Sequence, residues 1–391
     1  MSNAKKSRRA LIVTGEASGD LHGGNLIRAA REVDPDLSFF GIGGSRMAEA
    51  GCEILIPGES ISVMGLVEVV GHFPVIWRAF RRMKQILQGA QRPDLLILID
   101  FPEFNLRLAR VAKAAGVPVL FYVSPQIWAW RQGRVRKIAQ VVDKLAVIFP
   151  FEEAFYRGHQ IDVEYVGNPL LDEVEVQIGR EPYLRRLGLD PGRAVVGLFP
   201  GSRRNEIRYI LETILQTAQQ LAVALPGVQF LLPVASSLPA EMFEAPLAEK
   251  KLPVTLVDDR IYDVANACDA VLCVSGTVTL QTALVETPMA VVYQMSPLTY
   301  AIGRRLVKVP HISLANIVAG APVVREFIQE QATPEALCAE ILRLLHDPEY
   351  NRQVRAGLGT IRRRMGEKGC SQRVAAIASA LSQKTLGQAD Q

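Results

Sequence analysis

The stretch VSPQIWAWRQGRVR, residues 123–136, sets Trp128 and Trp130 beside Arg131, Arg134 and Arg136, directly after the apolar run Val117–Val123. An indole pair offers apolar faces with a donor at the rim, and guanidinium groups grip phosphate oxygens. Beyond the end of a buried parallel strand, that combination fits an anionic ligand with an apolar body. The plainer reading is an aromatic plug under a basic surface helix. Proton transfer has its own candidate. Asp100 ends the run LLILI and precedes FPEFN, a position that opens on the ligand edge of a parallel sheet and suits a general base for a hydroxyl nucleophile. Glu16 and Glu103 compete for that role, and an N-cap for the helix after Pro102 is the alternative for Asp100.

Three further segments have the character of anion sites. In TGEASGDLHGG, residues 14–24, a strand runs into a small-residue turn and then a helix, with Glu16, Ser18 and Asp20 placed to meet a ligand. Capping of the helix by Ser18 or Asp20 explains the same pattern. FPGSRRNE, residues 199–206, closes a strand with a tight turn carrying Arg203 and Arg204, which would clamp phosphate or simply begin a solvated basic helix. VSGTVTLQ, residues 274–281, opens a helix at Ser275-Gly276-Thr277, where backbone N–H groups and hydroxyls form an anion cradle without a lysine. With Arg203 it suits a diphosphate, or it is a cap alone. It matches neither GxxxxGK[ST] nor GxGxxG.

The apolar segment Ile61–Phe73 runs into Pro74–Gln88, where Trp77, Phe80, Met83 and Leu87 recur at helical spacing and Arg78, Arg81, Arg82 and Lys84 fall largely elsewhere. Such a helix lies at an anionic membrane surface or packs its stripe into a core with the basic face wet.

These residues need a frame to hold them. Ala10–Thr14, Leu37–Ile42, Leu95–Ile99, Val117–Val123 and Lys144–Ile148 read as buried parallel strands, with helical patterns such as Leu106–Ala115 between them. After the charged stretch Asp172–Arg193 a second series follows: Ala194–Phe199, Gln229–Pro233, Val254–Val257, Ala270–Val274 and Met289–Tyr293. The class is α/β, with two doubly wound domains and the cleft between them as the expected ligand site. We expect a first domain over 1–171, a linker over 172–192, a second domain over 193–346, C-terminal helices over 347–382 and a disordered tail over 383–391. The length of 391 residues suits two cores.

A net charge of +4 does not signal nucleic acid. Five cysteines without a CxxC pair fit reduced thiols in a cytoplasm, and five scattered histidines show no transition-metal site. No signal-peptide core follows the basic start, and no apolar run approaches the roughly 20 residues needed to cross a bilayer.

Taken together, GEASGDLHGG (15–24), SVMGLVEV (62–69), IDFPEFN (99–105), VSPQIWAWRQGRV (123–135), PGSR (200–203) and SGTVTL (275–280), joined by VGNPL (166–170) and NIVAG (316–320), resemble the lipid-A-disaccharide synthase family. The order and spacing match across nearly the whole chain. The resemblance implies a GT-B fold of two Rossmann-like domains facing a cleft, with the C-terminal helices returning to the N-terminal domain. It implies an inverting glycosyltransferase that joins UDP-2,3-diacylglucosamine to 2,3-diacylglucosamine 1-phosphate, releasing UDP, with no cofactor and no metal.

On that likeness Asp100 is the base, with Glu16 the second catalytic candidate. Arg203, Ser275, Gly276, Thr277 and Gln281, with Asn316, Glu326 and Gln329, would hold UDP. Ser18, Asp20, Gln126, Trp128, Arg131 and Arg134 would meet the acceptor sugar and its phosphate. Met64, Leu66, Val69, Phe73 and Trp77 would touch lipid, placing the protein on the cytoplasmic face of the inner membrane of a Gram-negative bacterium, with a homodimer as a family expectation.

Some positions depart from the family's pattern. Gln281 replaces a glutamate, Asn168 a histidine, Glu103 an aspartate and Ala315 a proline. The competing readings are another GT-B enzyme acting on UDP-N-acetylglucosamine, such as an epimerase or a transferase with a different lipid acceptor, and a catalytically silent UDP-sugar-binding or membrane-scaffold protein.

Overall fold

The computed structural model describes residues 7–61, 66–125, 127–130, 132–235, 238–306 and 309–389. The chain forms two compact units, Met1–Asp172 with Glu367–Gln391, and Glu173–Gly366.

Among the described residues, the first unit holds β1 (Arg8–Val13), β2 (Leu37–Gly43), β3 (Glu53–Pro57), β4 (Leu95–Ile99), β5 (Val119–Tyr122), β6 (Lys144–Val147) and β7 (Val163–Tyr165). They form one parallel sheet in the order β3-β2-β1-β4-β5-β6-β7. The central strands read as unbroken apolar runs because both faces are covered. Leu11, Val13, Leu96 and Leu98 point to a core shared with Met83 and Leu87 of the helix Leu66–Gln88 and Leu108 of the helix Pro102–Ala114. Ala10, Ile12, Leu95 and Ile97 face the opposite core, built with Leu26 and Ile27 of the helix Ala17–Val33 and Val374 and Ala378 of the helix Cys370–Ala389.

The second unit repeats the plan with β8 (Val195–Phe199), β9 (Gln229–Pro233), β10 (Val254–Val257), β11 (Ala270–Val274), β12 (Met289–Tyr293) and β13 (Arg325–Ile328), ordered β10-β9-β8-β11-β12-β13. In each sheet the strand order reverses once, between β1 and β4 and between β8 and β11. Helices leave opposite faces at such a point and open a crevice beyond the strand ends.

The strands β3, β7 and β13 were not legible in the sequence. All three lie at sheet edges, where one side of the ladder lacks a partner and the apolar run is diluted. Of the stretch 172–192, expected as a linker, all but Asp172 belongs to the second unit. It carries the helix Arg180–Arg186, whose buried Tyr183 donates its hydroxyl to Asp259 Oδ2 at 2.8 Å, while Arg180 donates to the Ala267 carbonyl at 2.7 Å.

The two C-terminal helices part company. Pro348–Met365 stays with the second unit, where Arg362 and Arg364 donate to the carbonyls of Leu284 and Val318 near the ends of two neighbouring helices, as the helix dipole favours. Only Cys370–Ala389 returns to the first unit. There the buried pair Arg8–Asp34, at 2.6 Å, is joined by the hydroxyls of Ser379 and Ser382. This helix runs to Ala389, through most of the stretch expected to be a frayed tail. No helix among the described residues is long and apolar enough to cross a membrane.

Candidate active site

The register of the first sheet pairs Val13 with Leu98 and Ile99 with Tyr122, so the turns after β1, β4 and β5 are neighbours. The first two close on each other at Gly15, where a Cβ would lie 2.8 Å from Phe101 Cγ; only glycine leaves room for this approach. Asp100 and Phe101 both take left-handed backbone, with φ of 49° and 46°, and so does Val123 at 60°. Each such residue costs on the order of 1–2 kcal/mol and persists only where neighbours over-determine it. Asn105, wholly buried, does so here. Its Nδ2 donates to the carbonyls of Ile99 at 3.3 Å and Asp100 at 2.7 Å, and its backbone N–H to Phe101 at 3.0 Å.

The N-cap of the helix Pro102–Ala114 is Phe101, with no side-chain cap. Asp100 stands half-buried at the strand end, one residue before that N-cap. Glu16, also half-buried, is the N-cap residue of Ala17–Val33, again without a side-chain cap, and Ser18 is exposed in that helix's first turn.

Two acceptor candidates make their hydrogen bonds within the scaffold. The carboxylate of Asp20 accepts from the backbone N–H groups of Gly44 at 2.7 Å, Arg46 at 3.1 Å and Met47 at 3.2 Å. It caps the short helix Ser45–Glu49, satisfying N–H groups that would otherwise be orphaned. Trp128 is only 6% exposed. Its ring meets Phe151 edge-on at 4.8 Å and its Nε1 donates to Glu152 Oε1 at 3.1 Å, so its faces belong to the core.

Glu152, missed in the sequence, also accepts from Ser124 Oγ at 2.6 Å and the Phe149 N–H at 3.0 Å. Burial pushes its carboxyl up to about 7, against the lowering effect of these donors. Arg134 forms an ion pair with Glu103 at the start of the helix Pro102–Ala114. Gln126 and Arg131 lie outside the described residues. Asn168 accepts from the Leu170 N–H at 3.0 Å and donates to the Ile148 carbonyl at 3.1 Å, a local cap rather than a proton carrier.

The stripe on the helix Leu66–Gln88 divides in two. Met83 and Leu87 are wholly buried, while Trp77 is 55% exposed and stacks on Phe80 at 6.2 Å. Phe80 meets Phe104 edge-on at 5.7 Å, and Phe104 stacks on Phe101 at 5.4 Å. An aromatic series thus runs from the exposed Trp77 to the Asp100 turn. Arg78, Arg81, Arg82 and Lys84 are exposed. Met64 and the side chains of Leu66, Val69 and Phe73 lie outside the described residues.

In the second unit a cavity of about 290 Å³ opens where the strand order reverses, lined by Gly201, Ser202 and Arg203 after β8 and by Ser275, Gly276, Thr277 and Gln281 after β11. Two helix starts converge on it, Arg204–Ala224 and Thr277–Leu284, presenting N–H groups and the positive ends of two dipoles. Gly201 has φ of 93°, and a Cβ there would lie 2.8 Å from Val274 Cγ1. Arg203 is exposed and pairs with Glu206 at 3.0 Å. Gln281 is hydrogen-bonded to Tyr262, whose phenol burial pushes up.

Three other nucleotide candidates are engaged in the scaffold. Glu326 accepts from the N–H groups of Ile312 and Ser313, from Ser313 Oγ and from Asn316 Nδ2, at 2.6–3.0 Å. Asn316, buried, also exchanges two bonds with the Val324 backbone, and Gln329 does the same with Met295. The Ser275 hydroxyl donates to the Ile312 carbonyl at 2.8 Å, so this network braces the cradle from behind. The five cysteines are all buried and outside any disulfide.

The family model for lipid-A-disaccharide synthetase matches residues 10–379. The chain is 65% identical over 387 residues to the lipid-A-disaccharide synthase of Syntrophotalea carbinolica, covering 99% of both chains. It is 53% identical to that of Geobacter sulfurreducens, covering 95% of this chain and 96% of the relative. Among solved structures it is similar to a putative UDP-N-acetylglucosamine 2-epimerase from Listeria monocytogenes, with TM-score 0.64, 12% identity and coverage of 94% and 95%. It is also similar to MurG of Acinetobacter baumannii, with TM-score 0.57, 14% identity and coverage of 95% and 99%. The architecture is that of two Rossmann-like domains, the GT-B fold, and the chain is a glycosyltransferase belonging to the lipid-A-disaccharide synthase family.

Proposed function

We propose that the protein transfers 2,3-diacylglucosamine from UDP to the 6-hydroxyl of 2,3-diacylglucosamine 1-phosphate, giving UDP and a β-1,6-linked, tetra-acylated disaccharide 1-phosphate. The observation that carries this reading within the family is the cavity at the β8/β11 reversal, where Arg203 and the start of the helix Thr277–Leu284 line one space. Inversion at the anomeric carbon is a single displacement. Asp100 takes the proton of the attacking hydroxyl, with Glu16 the alternative base, while the charge gathering on departing UDP is met by Arg203 and the helix N–H groups. Gly276 and Thr277 approach the diphosphate and Gln281 the ribose, an amide offering one donor and one acceptor where a carboxylate would accept twice. Asn316, Glu326 and Gln329 act by holding the surrounding backbone. On the acceptor side Ser18 and Arg134 meet the sugar and its phosphate.

The exposed Trp77 and its basic neighbours support contact with an anionic membrane surface, in keeping with acylated substrates and a place on the cytoplasmic face of the inner membrane. Serine at Met64, Val69 and Phe73 is then expected to lower binding to anionic vesicles without unfolding the protein; unchanged vesicle binding would restore a purely structural role for that segment. A homodimer is part of the same reading.

The test is UDP release and disaccharide formation from the two acylated sugars, with and without EDTA. Acceptor-dependent, EDTA-insensitive product is expected. No product despite UDP binding would assign a different acceptor.

A further inference from the structure

We propose that Glu152 is a positioning residue for the transfer reaction: from the first turn of the helix Pro150–Arg157 it holds Ser124 and Trp128 at the end of β5, beside the Asp100 turn. The proposal rests on the acceptor chemistry described above and adds to it a residue that touches neither substrate.

The geometry is specific. One carboxylate oxygen accepts from Ser124 Oγ at 2.6 Å and Trp128 Nε1 at 3.1 Å, and the other from the Phe149 N–H at 3.0 Å. These partners are all neutral, so the carboxylate is buried on hydrogen bonds to neutral donors, a costly arrangement for a core. An apolar side chain there would leave these donors without an acceptor and fix no direction. What the carboxylate supplies is orientation, since two side chains of the segment after β5 converge on one oxygen.

Tyr156 from the same helix adds a bond from its hydroxyl to the Pro125 carbonyl at 3.1 Å. The segment in turn borders the base. Tyr122 pairs in register with Ile99, so the next residues, Val123 and Asp100, leave adjacent strands, and both are left-handed. A shift of the β5 turn is thereby passed to the strained turn at Asp100. Misplacing a reacting group by about 1 Å costs roughly a hundredfold in rate.

The experiment compares wild type, Glu152→Gln, Trp128→Phe and the double variant, varying the acceptor at saturating donor, the donor at saturating acceptor, and titrating UDP alone. Glu152→Gln is expected to lower acceptor kcat/KM roughly tenfold to a hundredfold, with UDP affinity and donor KM within twofold of wild type. Trp128→Phe, which removes the indole donor but keeps an aromatic ring, is expected to lose part of the same rate, and the double variant to fall no further than Glu152→Gln alone. A purely structural role would lower the melting temperature and leave the acceptor kinetics of the folded protein untouched. Acceptor kcat/KM within twofold of wild type in both folded single variants overturns the proposal. Should Glu152→Gln fail to fold, Trp128→Phe carries the same comparison alone. Absence of wild-type turnover overturns the substrate reading and this proposal with it, whereas normal wild-type turnover with unaffected variants overturns this proposal only.

Discussion

Arg134 is ion-paired with Glu103, which fastens the residues following the tryptophans to the first turn of the helix that starts beyond Asp100. Glu103 is exposed and Arg134 partly so, and pairs of that kind contribute about 0–1 kcal/mol to stability. The pair matters for where it holds the chain. Together with Phe101 against Gly15 and the buried Asn105 beneath, it bounds the Asp100 turn on several sides.

Glu103→Gln is expected to leave the melting temperature within experimental scatter while raising the acceptor KM, because the lost contact is solvated and the lost constraint is local. Thermal unfolding and acceptor-dependent rates measure the two separately. A lower melting temperature with unchanged KM would show that the pair serves stability and not the placement of the turn.

Arg203→Ala is expected to weaken UDP binding roughly tenfold to a hundredfold, the range of a charge-assisted hydrogen bond worth about 1.5–3 kcal/mol. The residue is exposed and its partner Glu206 lies on the same helix start, so the fold should persist. Calorimetric titration with UDP checks this, and undiminished affinity would remove Arg203 from the nucleotide site.

Two titratable groups give stability opposite pH slopes. Burial lowers His22 to about 4 from 6.5, so between these values the unfolded chain binds more protons there and stability falls as the pH falls. Glu152 is raised to about 7 from 4.5, so the native state binds more protons there and stability falls as the pH rises through that window. At about 1.4 kcal/mol per pKa unit, each effect is on the order of a few kcal/mol at full extent. Relative to wild type, His22→Phe should gain most at acid pH and Glu152→Gln most above neutrality. Denaturant midpoints at three pH values would show it, and parallel pH curves for all three proteins would contradict it.

The Arg8–Asp34 pair is buried, and Ser379 brings the last helix to it. Burial raises the Asp34 carboxyl, but the Ser379 hydroxyl and the Arg8 guanidinium outweigh it and hold the group below its ordinary value. Its contribution is therefore present above the usual carboxylate range and lost as the pH falls through the lowered one. Removing one partner strands the other, which costs about 3–5 kcal/mol. Asp34→Ala should lower the unfolding free energy by that order and speed amide exchange in the helix Cys370–Ala389. A loss under about 1 kcal/mol, the scale of a surface pair, would show that the helix is held by its apolar face alone.

Much of this frame was legible from residue order. β1, β4, β8 and β11 are buried on both faces, so their apolar runs stand out, and the residues just beyond them, Asp100, Arg203 and Ser275, fall at the sheet ends for that reason alone. The edge strands β3, β7 and β13 lack that signal. The scaffold partners of Asp20 and Trp128 were not legible because residue type does not reveal which way a side chain points. Glu152 and Asn105 were missed because their value lies in their partners. Ser124 is 28 positions from Glu152, and the left-handed turn that Asn105 holds leaves no mark in residue type. The acidic pair Glu152–Glu153 after Pro150 reads as an ordinary helix start.

In the proposed mechanism Asp100 removes the acceptor proton of a lipid-sugar transfer. The most direct measurement is acceptor-dependent disaccharide formation by wild type and Asp100→Asn side by side, with UDP affinity determined for both. Product is expected from wild type, none detectable from Asp100→Asn, and UDP affinities within twofold. Near-normal turnover by Asp100→Asn would contradict that mechanism.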